Sequence, residues 1–233
     1  MSERIRVGFL ASGSGTTVEA VMKRSIKEGL PVDHALLMTN NRNAGVIQRA
    51  RDLGIPQEDT IYLNTHLFEE SDGTRNNDLM GETMLKHFRG RGIDYLFQYG
   101  WLVKTPENVI EEYAGAIFNQ HPAPLPEFGG KGMYGERALA AVLYYWRMTK
   151  HKRPAWNEVV AQYAAAQYDE GAILASARVP IELDTDTPKT LQERGLPIEH
   201  NVQYSLFKKV ANREELTVKE RESFIIPGEE GLL

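Results

Sequence analysis

The chain contains no cysteine, which excludes disulfides, thiolate nucleophiles and cysteine-ligated zinc together. Histidine is sparse as well: the 233 residues hold 6, scattered rather than paired at ligand spacing, so no metal is expected. No apolar run approaches the roughly 20 residues that a membrane-spanning helix needs, and the opening Met-Ser-Glu-Arg lacks the apolar stretch of a secretory signal. The expectation is a cytoplasmic protein without membrane contact. A dense stripe of lysine and arginine is missing too, since the formal net charge is −5 and the basic stretch at 150–153 is short. That argues against a nucleic-acid surface and leaves small anions to be bound by local geometry.

What is present is enough apolar material for one substantial core: 42% of the residues are hydrophobic. Apolar runs at 5–11, 34–39, 60–63, 94–99 and 116–119 alternate with amphipathic stretches at 18–28, 44–53 and 77–89. Short apolar runs separated by helical periodicity predict an α/β fold with a doubly wound, Rossmann-like, mostly parallel sheet. Beyond residue 157 the pattern changes. Residues 158–168 and 171–181 read as two extended segments around a turn at 169–171, an antiparallel hairpin added to the sheet. Residues 187–211 read as a closing helix whose first half is interrupted by Gly195 and Pro197. A single domain over 1–211 is expected, with a peripheral charged tail at 212–233 in which 223–226 could form a short edge strand.

Three places carry chemistry. At residues 119–126, Asn-Gln-His-Pro-Ala-Pro-Leu-Pro, an amide and an imidazole stand two positions apart at the end of an apolar run. On an extended chain such residues point to one side, so Asn119 and His121 can aim at one reacting atom while the prolines stiffen the backbone behind them. An amide donor beside a group that carries charge near neutral pH suits a developing oxyanion. The plainer reading is a half-buried histidine at a strand end.

The second place is Ala-Ser-Gly-Ser-Gly-Thr-Thr at 11–17, where a strand feeds a helix. Small residues and free helical N–H groups make an anion cradle there, unless the turn is only a tight connection. A dinucleotide fingerprint is disfavoured because Val18 occupies the third glycine position, and Thr39-Asn40-Asn41 offers no ribose-binding carboxylate. No Gly-Lys-Ser/Thr follows, so a Walker loop is excluded too. The third is Asp169, either a partner for His121 or simply a turn former.

Taken together, Ser12-Gly13-Ser14-Gly15-Thr16, Thr39-Asn40-Asn41-Arg42, Asn119-Gln120-His121-Pro122 with Leu125-Pro126, and Tyr168-Asp169-Glu170-Gly171 ahead of Val179-Pro180 resemble the 10-formyltetrahydrofolate-dependent formyltransferases. The resemblance runs from about residue 5 to about 210; Glu199-His200 is similar to that family's closing motif, and 128–135 to a loop variant of some members.

The resemblance implies Asn119, His121 and Asp169 as catalytic residues. It implies a substrate-phosphate site at Gly15, Thr16, Thr17 and Arg75, with Gly13, Ser14 and Glu199 as further substrate contacts. Leu102, Val103, Ala165, Ala166, Gln167 and Tyr168 would line the folate. The implied cosubstrate is 10-formyltetrahydrofolate, without metal, and the implied acceptor is the amine of glycinamide ribonucleotide in purine synthesis. The alternatives are an amino-sugar nucleotide as acceptor, or a folate or phosphosugar binder without turnover. A monomer or homodimer fits such a role.

The chain departs from the family around the pockets. Val103 stands near a common arginine, Val160 and Gln162 replace a small hydroxyl residue and a histidine, and Leu196 replaces a polar residue. The interval between His121 and Asp169 is also longer than is usual in the family. The excess centres on 144–157, where aromatic and basic residues interleave. It could meet the folate tail, cover a subunit contact, or extend a helix into solvent.

Overall fold

The computed structural model describes residues 4–149, 154–220 and 224–225. Two compact units divide the chain: Met1–Asn119 with Phe207–Glu214, and Gln120–Leu206 with Glu215–Leu233. Two elements pass from one unit into the other. These are strand β5 (Ile117–His121), which crosses after Asn119, and helix α6 (Pro188–Ala211), which crosses before Phe207.

The first unit is built from β1 (Ile5–Leu10), α1 (Thr16–Glu28), β2 (Val32–Thr39), α2 (Val46–Asp52), β3 (Thr60–Tyr62), α3 (Asn77–Arg89), β4 (Tyr95–Gln98), α4 (Glu107–Glu112) and the start of β5. Its strands lie in the order β3-β2-β1-β4-β5, and every pairing among them is parallel. Five of the six residues of β1 are buried, because a parallel strand is covered on both faces and cannot show a polar alternate face. The Rossmann-like expectation therefore holds, and the strands begin and end within one or two residues of the apolar runs.

An aromatic stack forms this unit's centre. Phe97 lies 4.9 Å from Phe207 and 5.1 Å from Phe118 by ring centroid, and His34 stacks beside both Phe9 and Phe207 at 5.9 and 6.1 Å. A half-buried histidine thus joins the ring cluster here, its Nε2 2.9 Å from the Ser25 hydroxyl. Burial first, and the charge of Arg4 next, push its pKa down to about 4, with Asp33 opposing.

The second unit carries the end of β5, α5 (Glu136–Thr149), β6 (Trp156–Tyr163), β7 (Ile173–Pro180) and most of α6. β6 and β7 pair antiparallel, the expected hairpin, but β6 ends at Tyr163 rather than continuing to 168. Residues 164–172 form a long connection instead of a three-residue turn. Gly171 shows why. A Cβ there would stand 1.8 Å from the Tyr163 carbonyl oxygen, so the returning chain presses directly on the strand end, and the residues between must loop away.

The closing helix is not interrupted. α6 continues through Gly195 and Pro197, held by buried Leu191 on one side and by Val202 and Gln203 on the other; Gln203 Nε2 donates to the Val160 carbonyl at 2.9 Å. A Cβ on Gly195 would meet Val179 only at van der Waals distance, so neighbouring packing outweighs the propensity cost of glycine and proline. The helix is entered through Asp186. This buried carboxylate accepts from both terminal nitrogens of Arg194 at 2.5 and 2.7 Å and from the Glu182 amide at 2.8 Å.

The aromatic stretch at 144–157 does not simply extend a helix into solvent. Tyr145 and Trp146 on α5 are wholly buried, and Trp146 Nε1 donates to the Trp156 carbonyl at 2.8 Å. Residues 150–153 of this stretch lie outside the described residues. Nor is all of the tail peripheral. Phe224 is 1% exposed, with ring centroids 4.7 Å from Trp156, 5.0 Å from Phe128 and 5.5 Å from Trp146. An aromatic side chain of this size contributes most of its stabilisation through such a cluster. Phe224 and Ile225 form a bend, while the other residues of the expected edge strand at 223–226 lie outside the described residues.

Candidate active site

β5 delivers His121 as its last residue, 3% exposed. Its Nε2 lies 2.8 Å from the Phe128 carbonyl oxygen. A carbonyl only accepts, so this nitrogen carries a proton. Nδ1 then faces Asp169 Oδ1 at 3.4 Å. The same strand end is tied to β6, because Asn157 Nδ2 donates to the Pro122 carbonyl at 2.8 Å.

Asp169 sits in the β6–β7 connection at φ 60, a left-handed conformation that non-glycine residues adopt infrequently. Three groups fix it there. Oδ2 accepts from the Gly130 amide at 3.0 Å, Oδ1 accepts from Gln162 Nε2 at 3.1 Å, and His121 faces Oδ1. Burial pushes the carboxyl pKa up, but the His121, Gly130 and Gln162 interactions outweigh it and hold the group below its ordinary range. At neutral pH the site therefore contains a buried anion against an imidazole. Asp169 is thus more than a turn former.

The loop after β5 makes this possible through glycine. A Cβ at Gly129 would lie 2.6 Å from a Leu125 methyl and 2.9 Å from Asp169 Cβ, so only glycine lets the loop approach. Gly130 has φ 94, which turns its N–H onto the carboxylate. Gly130 and Gln162 support Asp169 through contacts that motif reading did not assign. The Gly-Gly pair at 129–130 was the available signal.

In the first unit, the turn at 11–17 is built as tightly as its composition suggests. Gly15 has φ 77, and a Cβ there would stand 2.4 Å from Val46 Cβ, so α1 can begin at Thr16 only because position 15 is glycine. Gly13 and Ser14 are exposed, Thr16 is half-buried and Thr17 is buried. Asn41 Nδ2 donates to the Ser12 carbonyl at 3.3 Å, the Val46 amide to the Gly13 carbonyl at 3.2 Å, and Arg49 Nε to the Ser14 carbonyl at 3.0 Å. Arg49 is a cation on the turn that no spacing pattern had singled out.

Ser12 also joins this turn to one expected folate segment. Its N–H donates to the Gly100 carbonyl and its hydroxyl accepts from the Leu102 amide, both at 3.0 Å. Leu102 is 55% exposed and Val103 is buried beside it. Arg75 bridges to Glu69 in the loop before α3, with its buried Nε lacking a hydrogen-bond partner among the described residues. Asn119 is half-buried and in register with Gln98 of β4. In the second unit, Ala165 and Ala166 are half-buried, Gln167 and Tyr168 are exposed, and Glu199 is buried on α6. Among the described residues, no group of three or more histidine, aspartate and glutamate side chains could hold a metal ion. No helix there is long and apolar enough to cross a membrane.

The formyl transferase family matches residues 5–206. The chain is 29% identical over 199 residues to the chloroplastic phosphoribosylglycinamide formyltransferase of Arabidopsis thaliana, covering 85% of this chain and 63% of that protein. It therefore spans under two thirds of that relative's length. It is 26% identical over 208 residues to the phosphoribosylglycinamide formyltransferase of Bacillus subtilis, covering 88% and 94% of the two. Among solved structures, the phosphoribosylglycinamide formyltransferase of Bacillus halodurans superposes with a TM-score of 0.72 at 26% identity, over 90% of this chain and 97% of that one.

Proposed function

Because this chain belongs to the formyl transferase family, we propose that it transfers the formyl group of 10-formyltetrahydrofolate to the amine of glycinamide ribonucleotide, a step of purine synthesis. The observation that carries the reading is the buried His121–Asp169 pair, 3.4 Å apart. Its carboxylate is held anionic by fixed donors, so it can balance an imidazolium in a reaction that builds negative charge on a carbonyl oxygen.

In this reading the substrate amine attacks the formyl carbon and the carbonyl oxygen becomes an oxyanion. Asn119 donates to it, and His121, whose ring nitrogens face the Phe128 carbonyl and Asp169, acts on it as an imidazolium charge and not as a further hydrogen-bond donor. The tetrahedral intermediate then collapses: the bond from carbon to N10 of the folate breaks, N10 receives a proton, and the attacking nitrogen gives one up. Asp169 orders the water through which these protons pass.

The substrate phosphate is assigned to the backbone N–H groups of Gly15, Thr16 and Thr17 at the start of α1, with Arg75 as counter-charge. A helix amino end suits a phosphate through its N–H groups and its dipole. Gly13, Ser14 and Glu199 are assigned to the rest of the nucleotide. The folate is assigned to Leu102 and Val103 and to the stretch Ala165, Ala166, Gln167 and Tyr168, as a diffusing cosubstrate.

The test is an absorbance assay of folate turnover with 10-formyltetrahydrofolate and glycinamide ribonucleotide, run beside an amino-sugar nucleotide. Turnover that depends on glycinamide ribonucleotide is expected. Turnover with the amino sugar alone would move the acceptor, and no turnover with either, despite ligand-induced stabilisation, would make the protein a binder.

A further inference from the structure

Gln162 stands on β6, 1% exposed, with its side-chain nitrogen 3.1 Å from Asp169 Oδ1. The orientation of this amide is fixed chemically. A carboxylate held as an anion only accepts, so the nitrogen must face Asp169 and the oxygen must face away. That oxygen, Oε1, is buried and has no hydrogen-bond partner among the described residues. A buried amide oxygen left unpaired is costly, and its sister nitrogen touches the same carboxylate oxygen that faces His121.

We infer that Gln162 is a positioning residue for the His121–Asp169 pair, and that its Oε1 accepts a hydrogen bond from an N–H or O–H donor, a substrate amine or a water, that comes to this pair during reaction. The inference rests on the formyl-transfer reading and adds to it a residue that the catalytic motif does not contain. A glutamine suits the role because it donates to the carboxylate at every pH and does not titrate, so the charge on Asp169 is insulated from a second proton equilibrium. Among the groups facing Asp169 are His121 from β5, Gln162 from β6 and the Gly130 amide from the loop, and of these three only the imidazole is an ionisable group.

Two near-isosteric variants separate positioning from simple core filling. Gln162→Leu removes donor and acceptor while keeping apolar bulk. Its kcat is expected to fall about tenfold or more, with the acid limb of the pH profile moved to higher pH because Asp169 has lost a donor. Gln162→Glu keeps the shape but places a second carboxylate against Asp169, so one proton is retained by the pair. When protonated, the introduced carboxyl can donate and accept as the amide does, so this variant should keep activity at the acid end and lose it as the pH rises, a reversal that a packing role would not produce.

Carbon NMR of the Asp169 carboxyl in ligand-free protein gives a readout independent of turnover, with a higher titration midpoint expected in Gln162→Leu. Folded variants whose pH profile and Asp169 titration both match the parent overturn the inference while leaving formyl transfer intact. A parent with no formyl transfer overturns the function instead, and the NMR titration still decides whether Gln162 sets the charge of Asp169.

Discussion

Two histidines of this protein are shielded from water to different degrees and for different ends. His34 in the first unit lies among Phe9, Phe207 and the Ser25 hydroxyl, and burial pushes its pKa down to about 4. His121 in the second unit is 3% exposed, yet it has a carboxylate at one ring nitrogen and a carbonyl at the other. The first is a half-buried ring packed on aromatics; the second is placed against an anion. Burial alone is thus a poor marker of a functional histidine. What distinguishes His121 is the partner on Nδ1 and the effort the fold makes to hold that partner, with two glycines and a glutamine gathered around Asp169.

The contrast can be broken most forcefully at His121. His121→Ala is expected to lower kcat by about 10²–10⁴-fold, and His34→Phe to leave kcat within about twofold at neutral pH, since core changes of matched shape act on stability. Combining His121→Ala with Asp169→Asn should cost little more than the worse single change, because residues acting as a unit are not additive. Steady-state kinetics of the parent, the two single variants and the double variant check this, and full additivity would mean the two side chains act separately.

Next in size is Asn119→Ala, the proposed oxyanion donor, with an expected loss of roughly 2.7–4 kcal/mol of transition-state stabilisation. Single-turnover formyl transfer measures it. Activity within about threefold of the parent, roughly 0.7 kcal/mol, removes Asn119 from the mechanism.

The smaller effect concerns His34 and stability. Its folded-state pKa lies below the ordinary value of 6.5, so the unfolded chain binds more protons between these values. Stability should therefore be fully present above pH 6.5 and decline as the pH falls toward about 4, by about 3 kcal/mol from this group. Urea unfolding at a series of pH values reads the slope. His34→Phe should flatten it across that window, and an unchanged slope would assign the acid sensitivity to other groups.

Much of the scaffold was legible because its cues are local. The alternation of apolar runs with amphipathic stretches places β1 to β5 and α1 to α3 closely, since helical and extended periodicities are written into neighbouring residues. Where the reading missed, a distant contact prevailed. The end of β6 at Tyr163 depends on Gly171 pressing against it, and the unbroken α6 depends on packing around Leu191, Val202 and Gln203. Phe224 lies far from Tyr145 and Trp146 in sequence, yet the three form one aromatic cluster.

The candidate site divides in the same way. Asn119, His121 and Asp169 could be named from their motifs, and the turn at Gly15 from its composition. Arg49 on that turn, and Gly130 and Gln162 on Asp169, could not, because the partners are 35, 39 and 7 positions away and no short pattern links them.

By itself, then, the sequence determined the alternating α/β plan, the family, and which side chains are candidates for its chemistry, all properties carried by residue type and short-range order. Only the tertiary structure decided which histidine stands against an anion and which packs on aromatic rings. It alone decided that a glutamine faces the carboxylate and that an aromatic from the tail closes a cluster. Those outcomes depend on burial and on contacts between distant residues, where the strength of a hydrogen bond or the state of a titrating group is set by what the folded chain brings alongside it.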